Sequence, residues 1–204
     1  MNFEAAVINV ALLWLLTTPH EFAHAWVATK LGDDTPRREG RVTLNPLAHV
    51  DWIGTVLLPA VTSLIGAGFL GWGKPVNTNP SQLRGGLNGL ALVALAGPAS
   101  NVVFAVVLAA VAAAATASGN PGVARFASQG VMLSLYLALF NMIPVPPLDG
   151  SKLLLAARVP VQVYTSLARY GFLLLIVLMA YTQVGITLSA WSVEAARTML
   201  GWFR

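Results

Sequence analysis

Five apolar runs, at about 3–31, 53–70, 87–117, 126–148 and 170–191, restrict this chain to folds that a lipid bilayer permits. About 20 apolar helical residues cross the hydrocarbon core, where every backbone polar group must find its partner inside the protein. Only 10% of the residues are charged, whereas an ordinary soluble domain carries about a quarter. The sequence therefore predicts an all-α polytopic membrane protein. The N-terminus lacks the basic region and small-residue cleavage site of a removable signal, so the first run is expected to stay in the mature protein.

Not every run is suited to crossing. The second contains Gly54, Pro59, Gly66, Gly68, Gly71 and Gly73, a heavy load of helix breakers for a straight span. It is expected to be a re-entrant or surface-embedded segment. The polar stretch before it, "GDDTPRREGRVTLNPLAHVD" at 32–51, encloses a short alternating "RVTL" and predicts a small β-like hairpin or loop at the membrane surface. A second connector, "GWGKPVNTNPSQLRGG" at 71–86, has turn signals at both ends and an extended-looking "KPV". In the third run Ala105, Ala109 and Ala112 fall at near-helical spacing, which favours close helix packing. The expected architecture is thus four transmembrane helices, a re-entrant segment and a small hairpin.

Inside the first run stands "PHEFAHAW", with two imidazoles and a carboxylate where each is costly. His20-Glu21-Phe22-Ala23-His24 is an HExxH pattern. Residues four apart share a helix face, so His20 and His24 can present ring nitrogens to one ion while Glu21 stands beside it. Zinc in such a site lowers the pKa of a water and polarises a scissile carbonyl; Glu21 would take the proton and pass it to the leaving amine. The chain has no cysteine, so any metal must be held by His, Asp, Glu or backbone oxygen. A catalytic zinc takes three protein ligands and keeps one position open. Among the remaining acids Asp149 stands out, because it closes the fourth run in "NMIPVPPLDG", where Pro144, Pro146 and Pro147 disrupt the helix and can turn the carboxylate inward. The alternative is an aspartate serving only a helix-end turn. His49, in a loop after "LNPLA", reads as an interfacial or capping residue in preference to a ligand.

Three ordered motifs, "HEFAH", "GPASN" at 97–101 and "NMIPVPPLDG", together resemble the site-2 protease family of intramembrane zinc metalloproteases. The connectors "GRVTLNPLAHVDWIGT" and "GWGKPV" also look like those of its compact prokaryotic members. The resemblance implies one Zn2+ per chain on His20, His24 and Asp149, with Glu21 as general base. It further implies that Asn101 holds the substrate or stabilises the oxyanion; on residue type alone, Asn101 reads as an interhelical hydrogen-bonding residue. The substrate would be a membrane protein with a transmembrane helix, cut in or near that helix. The expectation is a single metalloprotease domain over 1–204, with a catalytic core at about 1–152, a C-terminal helix at about 165–204, and no PDZ-like or CBS-like domain. The rival reading is a membrane metal-binding protein or transporter that uses the same cluster without cutting a bond. Nucleic acid is not an expected partner, because the basic residues are scattered and no aromatic-interleaved patch appears.

Topology gives a separate test. With a re-entrant second run, nine of the twelve lysines and arginines fall in the connectors 30–84 and 152–169 on one side; with a spanning one the split is seven against five. The positive-inside rule favours the first arrangement and predicts a site nearer the cytoplasmic face of a prokaryotic cell membrane, with both termini outside.

Overall fold

The computed structural model describes residues 3–64 and 71–203, and all regular structure among them is helical. In chain order these are α1 (Phe3–Lys30), α2 (Thr35–Arg38), a 3-10 turn (Pro46–His49), a π-helical stretch (Trp52–Leu57) running into α3 (Leu58–Leu64), α4 (Leu87–Ala117), α5 (Pro121–Asn141), α6 (Gly150–Ala156), α7 (Val161–Tyr181) and α8 (Val184–Gly201). Four helical stretches, Ala6–Lys30, Leu87–Ala117, Pro121–Asn141 and Val161–Tyr181, are long and apolar enough to cross a bilayer. The chain is an integral membrane protein.

The core lies where α1, α4 and α5 meet. Leu12, Leu13 and Leu16 pack against Ala105, Leu108, Ala109 and Val131, and α8 adds Ala196 and Met199. Ala105, Ala109 and Ala112 are all buried, as their spacing predicts; their small side chains let the neighbouring helices come close to α4. Asn120 starts α5 by accepting the Val123 N–H on its side chain, with Pro121 at the first helical position, where a missing N–H costs nothing.

The segment after Asp51 leaves and returns at one place. Trp72 N–H donates to Gly54 O at 2.9 Å, and Thr55 Oγ1 donates to Trp72 O at 2.8 Å. A Cβ at Gly71 would lie 2.7 Å from Gly54 O, so the two backbones approach as only glycine allows. The described ends of the segment thus lie together, as the expected re-entrant course requires; 65–70, with Gly66 and Gly68, lies outside the described residues.

Two expectations are corrected. No strand occurs among the described residues, so the β-like hairpin around "RVTL" is absent there. Its donors go to local acceptors instead: Thr43 N–H to Arg41 O, Asn45 N–H to Thr43 Oγ1, and Leu47 N–H to Asn45 Oδ1. Such side-chain bonds compete with a ladder. The run 170–191 is two helices, because α7 begins at Val161, after Pro160, and ends at Tyr181. Thr182 is extended and its hydroxyl accepts the Val184 N–H at 3.2 Å, at the start of α8.

Candidate metal centre

His20 and His24 lie one turn apart on α1, and both imidazoles face α4. Room for them comes from Gly97: a Cβ there would run into His24 Nε2 and lie 2.7 Å from His20 Cε1. The next residue, Pro98, removes the N–H that would have bonded Ala94 O and disturbs that turn. The neighbouring carbonyl, Val93 O, accepts the Nδ1–H of His24 at 2.7 Å. A carbonyl only accepts, so the His24 proton sits on Nδ1 and Nε2 is left with its lone pair.

Asp149 is supplied by the link between α5 and α6. Helix α5 stops at Asn141 and α6 starts at Gly150, so the proline-rich link between them ends with Asp149 as the residue preceding α6. His20 Nε2, His24 Nε2 and Asp149 Oδ2 form a triangle with all three sides 3.1 Å. All three residues are buried, at 6%, 4% and 6% exposure. Tetrahedral zinc with bonds of about 2.0–2.1 Å separates its donors by about 3.3 Å, so the triangle fits such an ion nearly without adjustment. Two ring nitrogens and a carboxylate oxygen held this close and away from water suit a shared cation, a proton or a metal ion. His20, His24 and Asp149 form a group that can hold a metal ion. The other Asp149 oxygen, Oδ1, accepts from Lys152 Nζ at 2.9 Å, which leaves Oδ2 free to face the histidines.

Glu21 stands beside this triangle and is not part of it. Its Oε2 accepts the backbone N–H of Val76 at 3.1 Å, and Gly73 packs beside it: a Cβ there would touch Glu21 at an ordinary 3.5 Å and press on Thr17 Cβ at 3.1 Å. The connector that supplies Gly73 and Val76 is bound along one edge. The N–H groups of Trp72, Lys74 and Val76 go to Gly54 O, His49 O and Glu21, and the carbonyl of Lys74 accepts from the Arg41 guanidinium. At its far end, Asn79 N–H donates to Asp33 Oδ2 at 2.6 Å. Burial raises the Asp33 pKa, but hydrogen bonds from Thr35 and the Asn79 backbone more than reverse this and hold it below the usual carboxylate value. Arg41 is 3% exposed, and burial lowers its pKa against the pull of Glu21 and Glu39.

The remaining sequence-predicted residues fall as follows. Asn101, on α4 and 1% exposed, places its side-chain Nδ2 3.2 Å from His20 Nδ1, while its Oδ1 has no partner. Ser134 Oγ donates to its backbone carbonyl at 2.8 Å. His49 is away from the triangle: its Nε2–H donates to Thr43 O at 2.8 Å, and burial lowers its pKa. Sequence reasoning missed Val93, Gly97, Val76, Arg41 and Lys152. Gly97, the first residue of "GPASN", and Val76, the last of "GWGKPV", at least stood in stretches the sequence singles out.

A family model described as "Peptidase family M50" matches residues 112–179. A Bacillus subtilis protein named "Putative zinc metalloprotease YwhC" is 38% identical over 171 residues, covering 79% of this chain and 74% of its own. The chain belongs to peptidase family M50. A second relative, "Putative zinc metalloprotease Rip2" of Mycolicibacterium smegmatis, is 32% identical over 188 residues, covering 88% of this chain and 69% of its own. No solved structure matches. Membership of M50 agrees with the site-2 protease resemblance drawn from the three motifs.

Proposed function

We propose that this M50 peptidase is an intramembrane zinc metalloprotease that hydrolyses peptide bonds in or near transmembrane segments of membrane-protein substrates, with one zinc per chain. The observation that carries the reading is the division of labour on α1. His20 and His24 turn their ring nitrogens to Asp149, while the Glu21 carboxylate stands outside that triangle. A metal carrier has little use for an acid in that place, whereas a hydrolase needs a proton acceptor there. Zinc held by His20, His24 and Asp149 supplies Lewis-acid polarisation of the scissile carbonyl and a water of lowered pKa. Glu21 takes a proton from the attacking water and gives it to the leaving amine; the Val76 N–H holds its carboxylate in place meanwhile.

A helical substrate hides its carbonyls in internal hydrogen bonds and must be unwound before it is cut. The connector 72–77 supports a way to hold it. Backbone groups of Trp72, Lys74 and Val76 turn inward, and by the two-residue alternation of extended chain those of Gly73, Pro75 and Asn77 turn outward. Among the described residues the outward groups have no backbone partner. A substrate strand adds to this edge by main-chain hydrogen bonding. The concentration of basic residues in the connectors 30–84 and 152–169 supports a site nearer the cytoplasmic face of the cell membrane.

The test is Glu21→Gln in purified protein, assayed for zinc content and for cleavage of a single-span substrate. Retained zinc with cleavage lost is the expected result. Zinc transport into vesicles that survives the substitution, with no cleavage by the wild type, would establish the transporter instead.

A further inference from the structure

We propose that Asn101 is a positioning residue for the metal centre: its amide oxygen receives the Nδ1 proton of His20 and so leaves Nε2 bare for the metal. This rests on the reading of His20, His24 and Asp149 as metal ligands.

A neutral imidazole carries one N–H and one lone pair, and the partner of the outer nitrogen decides which is where. His24 is settled by Val93 O, which forces the proton onto Nδ1. His20 faces an amide, which offers a donor at one end and an acceptor at the other, so its tautomer follows the amide. One orientation of the amide has Asn101 Nδ2, 3.2 Å away, donate to His20 Nδ1. That places the His20 proton on Nε2, from which it donates to Asp149 Oδ2, 3.1 Å away. The triangle is then closed by a proton, and Asn101 Oδ1 is left buried without a partner.

Turning the amide half a revolution exchanges these roles. Oδ1 then accepts Nδ1–H, the stranded acceptor is gone, and Nε2 of His20 is bare. Both histidines now offer lone pairs to the position flanked by Asp149. A metal ion favours this second state because a ligating nitrogen cannot keep its proton. In either orientation the residue is fixed in the bundle: its backbone carbonyl accepts from Ser134 Oγ, and it is 1% exposed. Outer partners of this kind orient ligating histidines, and their loss costs 10–100-fold in metal affinity.

The test compares Asn101→Leu, which removes donor and acceptor, with Asn101→Asp, which keeps an acceptor and removes the donor. Zinc affinity is measured by chelator competition, and the melting temperature of each metal-free protein is recorded. The expected result is a 10–100-fold loss of affinity in the leucine variant and affinity within about threefold of wild type in the aspartate variant. Nitrogen-15 spectra of histidine-labelled wild type should show the His20 proton on Nδ1 in the zinc-loaded protein; a zinc-loaded spectrum without that proton would overturn the proposal. Equal loss of zinc affinity in both variants would mean that an acceptor on His20 Nδ1 is not what sustains binding, and would overturn the proposal. Wild-type affinity in the leucine variant would overturn it as well. Zinc binding unaffected by His20→Ala would overturn the underlying metal reading instead. If the leucine variant fails to fold, the aspartate variant and the wild-type spectra still decide.

Discussion

Replacing Gly97 with alanine should separate metal binding from folding. A Cβ at this position would lie 2.7 Å from His20 Cε1 and closer still to His24 Nε2, whereas ordinary contact begins at 3.4 Å. At least one imidazole must retreat by about 0.7 Å or more, while ligand distances in metal sites hold to within about 0.2 Å. One of three ligands is therefore lost or badly aimed. The affinity cost should reach at least the upper end for a disturbed supporting residue, about 100-fold or about 2.7 kcal/mol. Folding responds differently, because alanine is the better helix former by about 1 kcal/mol and the rings of the metal-free protein can swing aside. Chelator competition and thermal melting of the metal-free protein read the two effects separately. Gly122→Ala is the control: it makes the same chemical change in α5, where the nearest atom to the new Cβ is Asn120 Oδ1 at 3.8 Å. Gly97→Ala protein that binds zinc within threefold of wild type would refute the claim that this glycine makes room for the histidines.

Lys152→Met removes the bond that holds Asp149 Oδ1 and should lower zinc affinity about 10-fold by chelator competition, with a smaller effect for Lys152→Arg. Asp33→Ala frees Thr35 and Asn79 from a charged acceptor and should destabilise the connector by about 1.5–3 kcal/mol, seen as faster amide exchange at Asn79. The Asp33 pKa is lowered in the fold, so its contribution is complete above the unfolded value of about 3.9 and disappears as pH falls through the folded value. Protection of Asn79 should therefore hold at pH 5 and weaken in stronger acid; weakening between pH 7 and 5 would contradict this. Single cysteines at positions 34 and 78 should label equally from the cytoplasmic side, since Asn79 is bonded to Asp33; labelling from opposite sides would contradict the re-entrant course.

Much of the centre was legible because its parts are fixed by local chain geometry or by their cost in lipid. The four-residue spacing of His20 and His24 needs only a helix, and Asp149 is conspicuous as an acid closing an apolar run. The third run was read with the same bounds as α4, since uninterrupted apolar helices announce their length. What escaped were contributions from backbone and from the lack of a side chain. Nothing in the letters says that Val93 offers a carbonyl to His24, that Val76 offers an N–H to Glu21, or that Gly97 serves by being small. The break at Thr182 was invisible because two polar residues barely alter the hydropathy of a long run. The "RVTL" alternation is only four residues long, too short to outweigh the hydroxyl and amide acceptors around it.

The strip from Gly71 to Val76 has one edge bonded to Gly54, His49 and Glu21, the proposed general base, and the other facing outward. Exchanging it between members of the family to redirect cleavage would therefore move two quantities at once. A graft that improved the fit of a new substrate would also shift the carboxylate that turns it over, so gains in selectivity should arrive with changes in turnover number. Successful redesign of such an enzyme would need to hold position 76 constant while varying the side chains at its neighbours.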